Sequence, residues 1–233
     1  MPRRPNLRAG RGSRLGRGSR LRLGSRLRLG RRLGVIAGAG VLAAALAACG
    51  SSHVVSDNSL RFYLRIPGSW KLYDKHQLTE TPKFASLLSN PPQYLMAASD
   101  DPHPSSSQAF TSSKYPWAIL LVAKVPSSQQ QSLTLEGLSD VLVDVDELNE
   151  EGVPVQQLAQ GTLLVNGSLR GTKMEYEVGT GSSAIDYQQA TWVNSATNKL
   201  WALMVGCSPT CYKAQSSAIS SVVQSFYVSD RGT

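Results

Sequence analysis

Three cysteines offer the most direct chemistry in this 233-residue chain. Cys207 and Cys211 stand close together in the segment GCSPTCY, whereas Cys49 stands alone at the end of an apolar run. A cysteine sulfur can be alkylated, oxidised to a disulfide or used as a metal ligand, and its surroundings decide which. The pair and the single cysteine therefore need separate interpretations.

The apolar run before Cys49 predicts an export signal. It covers 16 residues, 33–48, and as a helix it would reach roughly 24 Å, less than the ~30 Å hydrocarbon core of a bilayer. All 12 arginines of residues 3–32 precede it. The order of positive, apolar and small residues is that of a secretory signal peptide. An uncleaved N-terminal anchor that contains an ordinary buried cysteine is the alternative.

The residues around Cys49 resemble a known family signal. Leu46, Ala47, Ala48 and Cys49 match the lipobox of bacterial lipoproteins, Leu-Ala-(Gly/Ala)-Cys, at all four positions. The resemblance implies that Cys49 receives diacylglycerol, that the chain is cut before Cys49, and that the new amine can take a further acyl chain such as palmitate. Two or three acyl chains hold a protein firmly on a membrane. The implied location is the extracytoplasmic face of the cell membrane.

Cleavage before Cys49 would change the meaning of the composition. The whole chain has a formal charge of +8, but residues 49–233 carry 12 basic and 16 acidic residues, a balance of −4. The basic excess belongs to the discarded segment, so we expect no nucleic-acid partner. The abundance of Arg, Ala, Gly and Leu in that segment suggests an actinobacterial source. Arg31-Arg32 leaves twin-arginine export open beside the general secretory route.

The pair Cys207 and Cys211 predicts a disulfide. An exported domain lies in an oxidising space, and an even number of cysteines there favours a bridge. A redox dithiol is an alternative, although such motifs usually have two intervening residues rather than three. Metal binding is a further alternative, but no histidine or additional cysteine accompanies the pair. We expect a structural bridge between the last strand and the last helix, and no metal.

The other candidate residues give no catalytic pattern. The three histidines, His53, His76 and His103, lie in polar segments, and no Gly-x-Ser-x-Gly motif is present. Asp100 and Asp101 could join His103 around a cation, but a solvated loop is the simpler interpretation. The acidic run 144–151 lacks the glycine and the oxygen spacing of a calcium loop. We expect no catalytic residues and no cofactor.

Four tryptophans have two possible roles. They are Trp70, Trp117, Trp192 and Trp201. All lie on or beside predicted strands, where packing against the sheet is the expected role. Lining of a binding cleft is the alternative.

Hydrophobic periodicity predicts a mixture of strands and helices. The expected strands are 60–66, a central strand at 117–125, and a meander of 157–165, 169–178, 185–193 and 199–205. The expected helices are 82–88, 135–150 and 209–226, the last capped by Ser208. A Ser- and Pro-rich loop is expected at 99–116, and Trp70 and Tyr73 continue into a short strand or close a turn. Asn166-Gly167 is the strongest hairpin signal.

These elements predict an α+β fold, an antiparallel sheet packed between helices. The segments FYLRIPGSW (62–70) and ISSVVQSFYV (219–228), with the meander between them, resemble the PsbP-like family. That resemblance implies a PsbP-like sandwich without a shared catalytic constellation, and hence a binding or assembly subunit. The expected organisation is a lipoprotein signal peptide at 1–48, helical or disordered, then a lipidated tether at 49–59 and one domain at 60–228.

Two functions of different classes follow from the sequence. The first is a membrane-anchored, non-enzymatic module that binds a protein, lipid or small-molecule partner on the extracytoplasmic side. The second is an anchored hydrolase or redox enzyme whose site is not recognised. Converging titratable groups in a pocket would favour the enzyme, and an exposed aromatic patch or apolar groove would favour the binding module.

Overall fold

The computed structural model describes residues 51–79, 92–103, 105, 114–125, 138, 142, 145–166 and 168–230. Ten strands are described: β1 (Ser52–Asp57), β2 (Phe62–Pro67), β3 (Lys71–Tyr73), β4 (Tyr94–Ser99), β5 (Trp117–Lys124), β6 (Val155–Asn166), β7 (Leu169–Val178), β8 (Ile185–Asn194), β9 (Lys199–Cys207) and β10 (Tyr227–Val228). The described helices are α1 (Lys75–Thr79), α2 (Val145–Glu150) and α3 (Pro209–Ser225), with a 3₁₀ turn at Gly181–Ser183.

Seven strands form one antiparallel sheet in the order β3-β4-β5-β9-β8-β7-β6. β5 pairs with β4 on one side and β9 on the other, which confirms the predicted central strand. Its apolar run suits this position because both of its faces are covered. β6 to β9 form the predicted meander of consecutive hairpins. The pairing of β6 with β7 ends at Asn166 and Leu169, beside the predicted hairpin turn.

The last helix, α3, lies on one face of this sheet. Ser208 caps it, accepting a hydrogen bond from the backbone N–H of Cys211, and Pro209 occupies the first turn. The predicted stripe is buried, with Tyr212, Ile219, Val222, Val223 and Phe226 all less than a tenth exposed. The helix packs against β2, β8 and β9.

Helices cover both faces of the large sheet, which confirms the predicted α+β layers. α3 and the smaller sheet enclose a core with Leu64, Leu120 and Leu203. On the opposite face Leu78 of α1 and Val145 of α2 pack with Ile119. Alternate residues of each strand enter the two cores, as the pleat of a strand requires.

The smaller sheet corrects the predicted tether at 49–59. β1 lies inside that interval and pairs with β2 over six residue pairs, from Ser52↔Pro67 to Asp57↔Phe62. Only Val55 of the segment SHVVSD is buried. The other positions are exposed or half-buried, which is compatible with their mostly polar residues. The described fold therefore begins at Ser51 and Ser52, not at residue 60.

Some predicted elements are only partly described. The helix at 82–88 lies outside the described residues, as does half of the loop at 99–116. Of the helix predicted at 135–150, the structure describes Leu138, Leu142 and α2. Leu138 and α2 are helical but Leu142 lies in a bend, so the prediction of one continuous helix was wrong. The acidic segment at 144–151 thus contains a helix, as predicted, and not a calcium loop.

Candidate functional site

The lipobox itself, residues 46–49, lies outside the described residues. What the structure shows is the point at which the domain begins beside it. The Gly68 N–H donates a 2.6 Å hydrogen bond to the Ser51 carbonyl, and a Cβ at position 68 would overlap that carbonyl. Position 68 therefore requires glycine for this close approach. The chain is held firmly at Ser51, two residues after Cys49.

This first contact belongs to one end of the sheets. Ser69 donates a 2.8 Å hydrogen bond to Asp100, the residue that follows β4. The Asp100 N–H in turn donates to the Pro116 carbonyl at 3.0 Å, just before β5 begins. We call the surface formed by Ser51, Gly68, Ser69 and Asp100 the anchor end.

The two remaining cysteines lie at disulfide distance, as the sequence predicted. Their Sγ atoms are 2.10 Å apart and their Cα atoms 5.9 Å apart. Cys207 is the last residue of β9, and Cys211 lies in the first turn of α3. Both are buried, so the pair joins the last long strand to the helix that follows it.

Beside this junction lies a group of polar side chains that we call the acidic cluster: Glu175, Glu177, Asp186, Gln188 and Tyr212. The first two come from β7, the next two from β8, and the last from α3. The register places Glu177 opposite Asp186 and Glu175 opposite Gln188. Residues two apart on a strand share a face, so all four strand residues lie on the same side of the sheet. This is the side that α3 covers, because Tyr212 of α3 contacts Glu175.

Hydrogen bonds link the cluster to α3. The Tyr212 hydroxyl donates to Glu175 Oε1 at 2.6 Å and accepts a hydrogen bond from the Gln188 amide. Burial, and then the hydrogen bond to Glu175, raises the pKa of Tyr212. This hydroxyl therefore remains a donor, and it ties the helix to the sheet.

Asp186 is the most perturbed acid of the cluster. Burial first, and then the neighbouring carboxylates of Glu177 and Glu175, raise its pKa to about 6. Asp186 is 9% exposed, and its Oδ1 atom is buried without a hydrogen-bond partner. Like charges directly opposite each other in a sheet repel, so protonation of Asp186 relieves its repulsion with Glu177. Below pH 6 Asp186 is therefore mainly protonated.

The described residues do not form a metal centre. Among the described His, Cys, Asp and Glu side chains, no group of three is placed to hold a metal ion. His53 lies on β1, His76 on α1 and His103 in the loop after β4, and the structure does not bring them together. The His103 N–H donates to Asp101 at 2.8 Å, a contact local to the loop.

The tryptophans have mainly packing roles. Trp70, Trp117 and Trp201 are at most 4% exposed. Trp192 is partly buried and packs against the core under α3. The Trp201 indole N–H donates a 2.8 Å hydrogen bond to the Leu60 carbonyl, which joins the large sheet to the turn between β1 and β2. Packing against the sheet, the role expected from the sequence, describes them well.

Comparison with known proteins identifies the fold. No protein-family description matches the sequence, and no curated protein matches it. Among solved structures, cyanobacterial PsbP (CyanoP) from Synechocystis sp. PCC 6803 aligns with a TM-score of 0.50 and 14% sequence identity, over 84% of this chain and 99% of CyanoP. The chain has a PsbP-like fold.

Two further solved structures show a weaker likeness to this fold. LpqN, described as involved in cell envelope biogenesis of Mycobacterium tuberculosis, aligns at a TM-score of 0.41 and 10% identity, over 81% of this chain and 96% of LpqN. The Saccharomyces cerevisiae Ran-binding protein Mog1p aligns at 0.42 and 10% identity, over 77% of this chain and 96% of Mog1p.

The acidic cluster is the group that the sequence interpretation missed. A signal for it was present, because the turn at 179–184 joins two predicted strands and places Glu177 across from Asp186. Tyr212 was predicted only as a member of the apolar stripe of α3, without a hydrogen-bonding role. Recognising the cluster required the exact register of the hairpin together with the position of the helix.

Proposed function

We propose that this chain is a lipoprotein anchored by Cys49 on the extracytoplasmic face of a membrane, where its PsbP-like domain acts as a non-enzymatic binding or assembly module. The observation that carries the proposal is the position of Ser51. The described fold begins there, two residues after the lipobox cysteine. Cleavage before Cys49 would leave every described strand and helix intact.

We assign the membrane attachment to a lipid because the lipobox residues directly precede the described fold. Within the described residues, no helix combines the length and apolar content needed to cross a bilayer. The lipobox resemblance at Leu46, Ala47, Ala48 and Cys49 implies attachment through a lipid that is covalently bound to Cys49. Two or three acyl chains bury enough methylene groups for stable attachment, at about 0.8 kcal/mol each.

The binding role is favoured over an enzyme by the burial of Asp186 and Tyr212 in the acidic cluster. A hydrolase or redox enzyme needs a reactive group that its substrate can reach. Asp186 and Tyr212 are each less than a tenth exposed, and the Tyr212 hydroxyl is engaged with Glu175. The Tyr212 hydroxyl and Glu175 therefore connect α3 to the sheet.

Replacing the lipobox cysteine tests the anchor. Cells that express the parent chain should incorporate an alkynyl palmitate label and hold the protein in the membrane fraction, as a product shortened by the signal peptide. Cys49→Ala should abolish the label and leave the longer precursor, because the thiol that receives diacylglycerol is absent. Ser52→Ala, at an exposed position three residues away, is the matched control and should behave like the parent.

Equal label in the parent and in Cys49→Ala would contradict the anchor. For the binding role, chemical crosslinking in intact cells should give a discrete adduct that survives detergent extraction. Turnover of ester, peptide or disulfide probe substrates by the purified domain, lost in Asp186→Asn, would instead support the enzyme alternative.

A further inference from the structure

The link between the lipidated residue and the folded domain is very short. Only Gly50 separates Cys49 from Ser51, so the Cα atoms of residues 49 and 51 are at most about 7 Å apart. Ser51 is not the start of a loose segment, because its carbonyl is bonded to Gly68 and β1 begins at the next residue. A lipid on Cys49 would therefore draw the anchor end to within a few ångströms of the membrane surface.

The opposite end of the domain is defined by contacts between the two sheets. β1 leads away from Ser51 for six residues, about 20 Å, to a turn at 58–61. There the Ser59 carbonyl accepts a 3.0 Å hydrogen bond from Lys199, and the Leu60 carbonyl accepts one from Trp201. We call the surface formed by this turn and by the turn between β8 and β9, residues 195–198, the distal end.

We propose that the lipid on Cys49 holds the anchor end against the phospholipid headgroups and directs the distal end away from the membrane, towards soluble partners. This inference rests on the proposed lipid anchor. The bilayer is the assigned occupant because the chain outside the described fold leads to a lipidation signal within two residues. A long tether would allow all orientations, whereas this link allows few.

The chemistry of the anchor end suits headgroups and not acyl chains. Ser51 and Ser69 are exposed, as is Lys71 at the start of β3, whereas Asp100 and Asp101 are half-buried. Both signs of charge are present without a cationic excess. Since a basic patch is what attracts a protein to anionic lipid, we expect the orientation to depend on the covalent lipid and only weakly on lipid charge or salt.

Site-specific fluorescence quenching tests the orientation. The intact lipidated protein is extracted from membranes and reconstituted into phosphatidylcholine vesicles, with or without phosphatidylglycerol, that contain a headgroup spin label. A single new thiol carries the fluorophore: Ser69→Cys at the anchor end, or Ser195→Cys at the distal end, both exposed positions. Because Cys207 and Cys211 are paired and Cys49 carries lipid in this proposal, the new thiol is the reactive one.

Ser69→Cys should be quenched several-fold more than Ser195→Cys, with little change when phosphatidylglycerol is added. Insertion of a Gly/Ser linker between Gly50 and Ser51 should reduce the difference, because a tethered domain tumbles. Equal quenching at both positions would overturn the orientation, as would a difference that persists with the linker. If mass measurement of the extracted protein shows no lipid on Cys49, the proposed anchor itself is wrong, and this inference is overturned with it.

Discussion

At the scale of single residues, Asp186 shows how the sheet register sets chemistry. Its neighbours include Glu177 and Glu175 on the adjacent strand β7, and Tyr212 on the helix α3. The carboxyl group is buried among acceptors, so its charged form is disfavoured and its pKa rises to about 6. Asp57 shows the opposite effect: hydrogen bonds from the Ser59 hydroxyl and the Leu60 N–H lower the pKa of its carboxyl.

Asp186 should make the domain less stable as the pH rises from about 4 to 6. An unfolded aspartate has a pKa near 3.9, so over this range the unfolded chain loses a proton that the folded protein keeps. The stabilisation by protonated Asp186 is fully present below pH 4 and is lost once the pH passes 6. Its loss lowers the free energy of unfolding by at most about 3 kcal/mol. Asp186→Asn should remove that cost and raise the free energy of unfolding at pH 7.5 by about 1–2 kcal/mol.

Urea unfolding of the parent and Asp186→Asn at pH 4.5 and pH 7.5 measures this effect. The control is Asp57→Asn, which should lower the free energy of unfolding at pH 7.5, because the lowered pKa of Asp57 stabilises the folded state above pH 4. An Asp186→Asn variant with the same pH dependence as the parent would show that the burial of Asp186 has no energetic consequence.

At the scale of elements, the junction between β9 and α3 determines where the helix lies. Ser208 caps α3, and Cys207 and Cys211 bracket that cap. Ile219 and Val222 are almost fully buried two to three turns later, which requires the helix to leave the strand at a fixed angle. The cysteine pair stabilises that angle at its origin.

Removing the cysteine pair should lower stability more than it changes binding. The bridge closes a ring of only residues 207–211, for which loop entropy gives on the order of 2 to 3 kcal/mol at most. The Cys207→Ser/Cys211→Ser variant should therefore melt at a lower temperature by thermal unfolding. A thiol count on the denatured domain, before and after reductant, verifies the bond: two free thiols without reductant would refute it, and an unchanged melting temperature would refute its structural role.

The elements also show where sequence patterns suffice. β5 was predicted almost to the residue because WAILLVA is continuously apolar, and β7 to β9 were predicted because turn residues separate long runs. β1 was not predicted because a strand with a single buried side chain, Val55, looks like a polar linker. β4 was not predicted because YLMAAS is short and contains two alanines, which favour no strand strongly.

The candidate sites also differ in whether the sequence alone could predict them. The cysteine pair could be predicted because exported compartment and sequence spacing are both readable along the chain. The acidic cluster could not, because Asp186 and Tyr212 meet only after the sheet and α3 have packed. The lipid on Cys49 stays a prediction from the lipobox.

At the scale of the whole molecule, the smaller sheet joins the beginning and the end of the domain. β2 pairs with β1 on one side and with β10 on the other. Just beyond β10, Asp230 accepts hydrogen bonds from Ser168 at 2.5 and 2.9 Å and from Asn194 at 2.9 Å. These bonds lower the pKa of Asp230, and they connect the C-terminal segment to two hairpin turns of the large sheet.

Deleting the last segment should therefore destabilise the entire domain. A chain that stops after Phe226 loses the pairing of β10 with β2, the buried side chain of Val228 and the bonds of Asp230. The two residue pairs of β10 with β2 and the buried Val228 side chain alone should lower the free energy of unfolding by about 2–4 kcal/mol when they are lost. A chain that stops after Asp230 is the matched control and should unfold at the parent's urea concentration. Equal midpoints for the two truncations would show that β10 and Asp230 contribute little.

The position of β2 between β1 and β10 also sets a time order for biogenesis. If the chain is exported by the general secretory route, its N-terminal part emerges first, and Cys49 would reach the acyl-transfer enzymes while residue 228 has yet to cross. An isolated hairpin of β1 and β2 is marginally stable, and pairings between distant parts of a chain form late. The modifying enzymes would thus act before β1, β2 and β10 have paired, and the smaller sheet beside the anchor end would be complete only when the last strand arrives.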